Sequence, residues 1–274
     1  MSPFVKMFPV GLGLRILFVS SIFVVLIFGF LLPVLGFFKH KKRWSYLFFG
    51  LACIALIIAH FNSGFSDKNP KPNSIIYTLD ADSNSAKWMT YDKKLDAWTK
   101  SFLTNNPDNI TQENTIASKY NNGFTYSKKA DLKPLVYPTV EVYKDTVIGD
   151  QRHVSIYVES KRPVNRYEVF SLDSNIFNTF KINGVSPKRK KGDIYAFQNK
   201  YRNRLFSYYV SNNEPLTMEF SVPKDQQTKF ELYEASFDLM HNRLFSIPKR
   251  EASMMPKPFV LNDAIVIKKT ISID

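Results

Sequence analysis

Two long apolar runs near the start of the sequence predict two membrane-spanning helices. Residues 16–38 are 23 consecutive positions without a charged side chain. Residues 44–61 form a second uncharged run, in which His60 is the one side chain that could carry a charge near neutral pH. A helix needs about 20 apolar residues to cross a hydrocarbon core, so the first run is long enough and the second is slightly short. A cleaved signal peptide is the alternative for the first run, but its apolar region would be about 7–15 residues and a small-residue cleavage site would follow. A buried or re-entrant helix is the alternative for the second run.

The basic segment between the two runs predicts their orientation. Residues 39–43 contain four Lys or Arg side chains. A connection this short makes the two spans an antiparallel hairpin, and loops rich in Lys and Arg stay on the cytoplasmic side. Residues 62–274 are then predicted to be extracytoplasmic, in a periplasm or a lumen. The alternative topology uses only the first span as an anchor, with Lys6 and Arg15 inside, but the loop carries more basic residues.

After a polar, turn-rich linker over residues 62–72, the apolar pattern has a period of two, which is typical of strands. In residues 153–160, for example, Val154, Ile156 and Val158 share one face. Turn residues separate the short runs at regular intervals, a rhythm that indicates an antiparallel sandwich or barrel. Further strands are predicted at residues 166–172, 179–185, 193–197, 205–210, 216–222, 229–233 and 259–273.

The predicted architecture is a membrane-anchored all-β protein. Residues 1–61 form a two-span transmembrane hairpin, residues 62–72 a linker, and residues 73–274 an antiparallel β-sandwich-like domain. Within that domain, residues 100–133 are expected to be a long excursion with little regular structure, and residues 234–244 a short helix.

Two details of the strand region refine this prediction. Asn183-Gly184 between apolar segments is a strong signal for a hairpin turn. The segment 259–273 returns to the strand pattern near the end of the sequence, and we expect it to close a sheet.

Charge and cysteine content narrow the function classes. The chain has 37 Lys and Arg against 24 Asp and Glu, and residues 1–61 contain no acidic residue. The single Cys53 excludes a disulfide framework, a Cys-based zinc site and an iron–sulfur cluster. The glycines after residue 61 are too scattered for a phosphate-binding loop. Nucleic acid is not an expected partner, because the domain is predicted to lie outside the cytoplasm. The lipid bilayer is the expected partner of residues 1–61.

One stretch starts like a calcium-binding loop. Asp80, Asp82 and Asn84 alternate in the way that such loops begin, but the sixth and twelfth positions are Ser85 and Tyr91. A calcium loop needs Gly and Glu there. A polar turn between two strands is therefore favoured.

A second group has the composition of a zinc site. Glu234, Asp238 and His241 would share one face if their segment were helical, but solvated helix faces are often charged, so a metal site is not favoured. His153 is expected to be a surface or half-buried side chain rather than a general base. Neither H-E-x-x-H nor G-x-S-x-G occurs. The sequence thus predicts no catalytic residue, no metal ligand and no cofactor-binding residue on this chain.

Three surface features remain. Trp88 and Trp98 could form a carbohydrate-stacking platform, although core anchors beside a turn are the favoured interpretation. The basic run 188–191 is expected at a solvated hairpin tip, with anionic lipid headgroups or glycans as the alternative contact. Residues 109–111, Asn-Ile-Thr, have the form of an N-glycosylation acceptor, which matters only in a eukaryotic host.

Several segments resemble one family. Residues 72–103, PNSIIYTLDADSNSAKWMTYDKKLDAWTKSFL, are similar to the start of the C-terminal extracytoplasmic domain of multi-spanning zinc aminopeptidases, metallopeptidase family 28. Bacterial transmembrane members and the endoplasmic-reticulum metallopeptidase share that layout. The segment QRHV at 151–154, the segment MMPKPF at 254–259 and the apolar spans ahead of the domain agree with it.

The resemblance implies an order of zinc peptidase domain, several spans and a β-rich C-terminal domain. The two zinc ions of that family are held by His, Asp and Glu in the peptidase domain, and no H-x-D motif or Glu-Glu pair of that kind occurs in this sequence. Any zinc would therefore belong to the missing catalytic domain. The chain is expected to be a non-catalytic, membrane-anchored accessory domain, a fragment or split product that serves a zinc peptidase catalytic domain or subunit. The alternative is an independent membrane-anchored binding module for glycan or peptide.

Overall fold

Two long helices form over the two apolar runs. In a computed structural model of the chain, α1 covers Leu17–Gly36 and α2 covers Lys41–Phe61. Helix α2 begins three residues before the predicted run, because the basic residues at 41–43 join its first turn. This extension gives it 21 residues, so both helices are long and apolar enough to cross a membrane. The structure describes residues 3–5, 7–8, 17–110, 116, 123–172, 176–188 and 204–273.

Backbone contacts divide the chain into two units, Met1–Gly64 and Phe65–Asp274. In the described residues of the second unit, one short helix occurs, α3 at Ala97–Leu103, and the other regular elements are strands. The strands are β1 (Lys71–Asn73), β2 (Ile76–Asp80), β3 (Ser85–Thr90), β4 (Asp108–Asn109), β5 (Tyr126–Ala130), β6 (Thr139–Ile148), β7 (Gln151–Glu159), β8 (Arg166–Ser171), β9 (Thr179–Ile182), β10 (Arg204–Tyr209), β11 (Leu216–Pro223), β12 (Thr228–Ser236), β13 (Met254–Pro256) and β14 (Ala264–Ile273).

The strands form three sheets. The largest has the order β10-β8-β12-β14-β2-β3-β5-β4, a second has the order β6-β7-β11-β9, and β1 pairs with β13 alone. Most neighbours are antiparallel, as predicted, but β14 runs parallel to β2 and β13 runs parallel to β1. The all-β character is confirmed, while the purely antiparallel arrangement is wrong. Strand β14 also lies in the middle of its sheet rather than closing it.

The two larger sheets share one hydrophobic core. It contains inward-facing side chains of β7 and β11 from the four-stranded sheet and of β8, β12 and β14 from the eight-stranded sheet. The predicted face of Val154, Ile156 and Val158 is part of it, with each side chain at most 2% exposed. Two further cores flank the β14–β2–β3 region of the large sheet, and α3 contributes Trp98 and Leu103 to one of them.

The local predictions had different outcomes. The expected helix at 234–244 is wrong, because β12 continues to Ser236 and turns follow. The excursion 100–133 contains the end of α3 and the strands β4 and β5. The hairpin turn at Asn183-Gly184 is confirmed: both residues have positive φ, and Ile182 and Val185 exchange two backbone hydrogen bonds of 2.9 Å. The expected strand at 193–197 lies outside the described residues.

Candidate functional site

The segments that carry the family resemblance meet in a buried polar network. Strand β1 lies beside β13, which places Asn73 next to the side chain of Arg250. The Arg250 guanidinium donates to Asn73 Oδ1 at 2.6 Å and to both carboxylate oxygens of Asp263 at 2.6 and 2.7 Å. Asn73 Nδ2 in turn donates to Asp96 Oδ2 at 3.0 Å. These residues hold distant parts of the chain together, which is a structural role.

A third carboxylate links the first resembling segment to the MMPKPF segment. Asp92 is buried, accepts hydrogen bonds from Ser74 N at 2.8 Å and Ser74 Oγ at 3.2 Å, and forms an ion pair with Lys257 Nζ at 2.8 Å. Lys257 belongs to the MMPKPF segment, whereas Asp92 belongs to the first resembling segment. A polar side chain of one segment thus binds a polar side chain of the other.

The two tryptophans of this region are packing residues. Trp98 is 7% exposed, its Nε1 donates to Pro248 O at 2.8 Å, and Arg250 lies over its ring at 4.1 Å. Trp88 is half-buried and contacts Tyr77 and Phe102 with ring centroids 5.2 and 5.0 Å apart. The interpretation as core anchors is confirmed, and the two rings do not form an exposed stacking platform.

The segment that begins like a calcium loop is a hairpin turn. Asp80 Oδ1 accepts hydrogen bonds from the backbone amides of Asp82 and Ser83 at 3.0 and 3.1 Å, and Asn84 has a positive φ of 48°. Burial acts to raise the pKa of Asp80, but these amides and the Lys268 ammonium outweigh it and the pKa lies below its usual value. The favoured interpretation as a polar turn is confirmed.

The predicted zinc group is not assembled. Glu234 lies on β12 with its side chain buried, and the guanidinium of Arg162 donates to Glu234 Oε1 at 2.7 Å. The same guanidinium lies 4.0 Å from Asp238, while His241 is exposed in a later turn. Arg162 therefore occupies the place between the two carboxylates that a metal ion would need. Because Glu234 is buried, its pKa is raised despite the attraction of Arg162.

The remaining residues that the sequence singled out do not come together in a reactive or ligand-binding group among the described residues. His153 lies on β7 opposite Ser221 and Thr146, in a row of polar side chains. Lys188 is exposed, and the rest of its basic run lies outside the described residues. Asn109 ends β4, but Thr111 of the same sequon is also outside them. Cys53 is a free thiol in α2. Across the part of the chain that the structure describes, no cluster of three His, Cys, Asp or Glu side chains could hold a metal ion.

Exposed apolar side chains concentrate in one stretch of the second unit. Seven of its fourteen exposed large apolar side chains in the described residues fall within residues 132–148. They are Leu132, Val136, Tyr137, Val142, Tyr143, Val147 and Ile148, which are 37% to 62% exposed. Single exposed apolar residues are normal, whereas contiguous groups of them are typical of interaction surfaces.

Most of this surface is the edge strand β6. It has ten residues and pairs with β7 along its length, while no described strand lies at its other side. The strands at the remaining sheet edges are shorter: β9, β10 and β4 have four, six and two residues. An edge strand presents unpaired N–H and C=O groups that can pair with another strand. We call β6 with its exposed side chains the β6 edge.

Two ion pairs within the chain lie beside the β6 edge. Arg152 on β7 donates to both carboxylate oxygens of Asp145 at 2.8 and 2.6 Å, which lowers the pKa of Asp145. At the hairpin tip, Lys224 forms an ion pair with Asp150 at 3.1 Å. Asp145 of the β6 edge is therefore engaged within the chain, whereas Glu141 and Lys144 are exposed.

No protein-family model matches the chain, and no curated protein matches it. The resemblance to the zinc aminopeptidases stays a prediction.

The sequence analysis missed both Arg162 and the β6 edge. Arg162 lies four residues before strand β8, and its local sequence does not indicate an ion pair, because its partner Glu234 is 72 residues away. Residues 139–148 do show the β-branched composition of a strand, and the Gly149-Asp150 turn that follows them marks a hairpin. Their edge position depends on which strands pair, and spacing alone does not indicate that.

Proposed function

We propose that this chain is a membrane-anchored, non-catalytic accessory domain whose β-rich unit lies outside the cytoplasm. The observation that carries the proposal is the exposure of the two helices. No residue of α2 is buried, and Ser20 is the only buried residue of α1. Burying one large apolar side chain is worth about 1.5–3 kcal/mol, so two helices of this composition need cover, and a lipid bilayer supplies it along their whole length.

The orientation follows from the basic connection. Lys39 and the first turn of α2, Lys41 to Arg43, lie at one end of both helices. The preference of Lys and Arg for the cytoplasmic side then puts this end inside and Phe61 at the outer surface. The absence of disulfides in the second unit is compatible with this placement, because its shared core and flanking cores supply the packing.

We propose further that the β-rich unit is sandwich-like, with the four-stranded sheet facing half of the larger one. The support is the common core to which both sheets contribute. The opposite face of the four-stranded sheet carries Tyr157, Thr217 and Glu219, which are partly exposed, as residues on the outer face of a sandwich should be.

The same proposal includes a zinc aminopeptidase as the protein that this domain serves. Its support is the family resemblance of residues 72–103 and 254–259, together with the structural use of their polar side chains. Asp92 of the first segment pairs with Lys257 of the second, and Asn73 of the first segment accepts a hydrogen bond from Arg250, which supports a structural rather than a catalytic use of these side chains. The described residues do not fit a zinc ion, so zinc would be supplied by the catalytic partner.

Cysteine labelling tests the anchor and its orientation. In a Cys53→Ser background, we expect a membrane-impermeant maleimide to label Lys94→Cys in intact cells and to label Lys41→Cys only after permeabilisation. Lys94 is exposed in the β-rich unit and Lys41 begins α2. Labelling of position 41 alone would overturn the proposed orientation, and extraction of the chain by alkaline carbonate would overturn the anchor.

Purification tests the accessory role. Mild solubilisation of native membranes should recover a zinc-dependent aminopeptidase with the chain, while the purified chain alone should hydrolyse no aminoacyl substrate. Zinc-dependent hydrolysis by the purified chain that is lost in a His153→Ala or His241→Ala variant would contradict the non-catalytic assignment.

A further inference from the structure

We infer that the β6 edge pairs with the β6 edge of a second copy of this chain, which joins two four-stranded sheets into one across a two-fold axis. This inference goes beyond the accessory role and does not depend on the membrane anchor. It starts from the length, apolar character and edge position of β6.

A β-bulge determines which side chains of β6 share a face. Val142 lies opposite Ile156 and Lys144 lies opposite Ser155, so Tyr143 is an extra residue in the ladder. Glu141 lies opposite Tyr157, on the same outer face as Lys144. The bulge therefore makes Glu141 and Lys144 the first outer-face neighbours on either side of Val142.

This arrangement is self-complementary about Val142. In an antiparallel pair of β6 strands with a two-fold axis at Val142, and with Tyr143 of each copy left out of the new ladder as it is against β7, the two valines face each other and Glu141 of each copy lies opposite Lys144 of the other. Two opposite-charge cross-strand pairs then form, and such pairs stabilise a sheet. Both side chains are exposed, and Lys161, which pairs with Glu159, also acts on Glu141 through its charge.

The neighbouring registers are less favourable. A two-fold axis at Glu141, Lys144 or Asp145 would place like charges directly opposite one another, which destabilises a sheet. Among these registers, the charge pattern favours the one with its axis at Val142, in which a second copy of the chain supplies both opposite charges. A two-fold interface in which the same patch meets itself is the commonest way that soluble chains associate.

Cross-linking of the full chain in detergent or nanodiscs tests this inference. In a Cys53→Ser background, Val142→Cys should give a covalent dimer on mild oxidation. Thr146→Cys is the matched control: it lies on the same exposed strand but three ladder positions from the axis, so it should give little dimer. Equal cross-linking at both positions, or cross-linking of position 142 only to a different protein, would overturn the inference.

A charge reversal tests the register without cysteines. Glu141→Lys places Lys opposite Lys twice, and we expect it to weaken the dimer roughly tenfold. The double variant Glu141→Lys with Lys144→Glu restores both opposite-charge pairs and should restore the dimer, measured by light scattering after size-exclusion chromatography. Circular dichroism controls for folding. A monomeric unaltered chain, or a double variant no better than Glu141→Lys, would refute the pairing.

Discussion

Replacement of Arg250 by Met should be among the most damaging single changes in the β-rich unit. Only 8% of the Arg250 side chain is exposed, and its guanidinium satisfies Asp263 twice and Asn73 once while it lies over Trp98. Methionine keeps much of the apolar stem but removes every donor. The Asp263 carboxylate then loses its charge partner, and Asn73 Oδ1 loses a hydrogen bond.

The size of the effect follows from burial. Removing one partner of a buried ion pair costs about 3–5 kcal/mol. Since Asp263 remains 18% exposed and can recover some hydration, we expect about 3 kcal/mol, the lower end of that range. For a domain of this size that corresponds to a loss of about 6–12 °C in Tm.

Arg152→Met is the matched control, because Arg152 binds Asp145 through the same two-pronged geometry. Asp145 is 36% exposed, and an ion pair of this kind at the surface is worth about 1 kcal/mol or less, or about 4 °C or less in Tm. Thermal unfolding of the full chain in detergent, followed by near-ultraviolet circular dichroism, compares the two. Equal shifts in Tm for the two variants would refute the claim that burial of the Arg250 network determines its contribution.

Three further predictions concern the same unit. Trp98→Ala should cost about 3–5 kcal/mol in urea unfolding, because Trp98 is a buried core anchor; a negligible loss would contradict that role. Asp96 caps α3 through Thr99 N at 2.8 Å, so Asp96→Ala should cost about 1 kcal/mol at neutral pH. Burial acts to raise the pKa of Asp96, but hydrogen bonds from Thr99 and Asn73 and the charge of Lys71 lower it overall. Its stabilisation is therefore full above the ordinary carboxyl pKa and is lost as pH falls through the lowered value, and the variant should lack this acid-dependent loss. A chelator should leave the urea midpoint unchanged, and a shift would indicate a structural metal.

Local signals predicted much of the strand pattern. Alternation of apolar residues located β7, β8, β11 and the strand part of 259–273, because side chains of a strand alternate between its two faces. The Asn183-Gly184 pair predicted the hairpin turn correctly, because both residue types tolerate a positive φ. The apolar runs likewise fixed the helices, since their length and composition suit no other element. The helix expected at 234–244 failed because Glu234 belongs to the end of β12, where Arg162 pairs with it, and turns follow Ser236.

The sequence by itself determined that the chain has two long apolar helices and a β-rich part with no cysteine framework. Tertiary structure decided which strands are neighbours, and with them the functional interpretation. Arg162 binds Glu234, 72 residues away, and Arg250 binds Asn73, 177 residues away. Whether Glu234 could serve as a metal ligand therefore depended on strand pairing, which no local sequence pattern encodes. The β6 edge is exposed for the same reason: a strand is an edge only with respect to the sheet that contains it, and the ladder hydrogen bonds that define a sheet are formed between segments far apart in the chain.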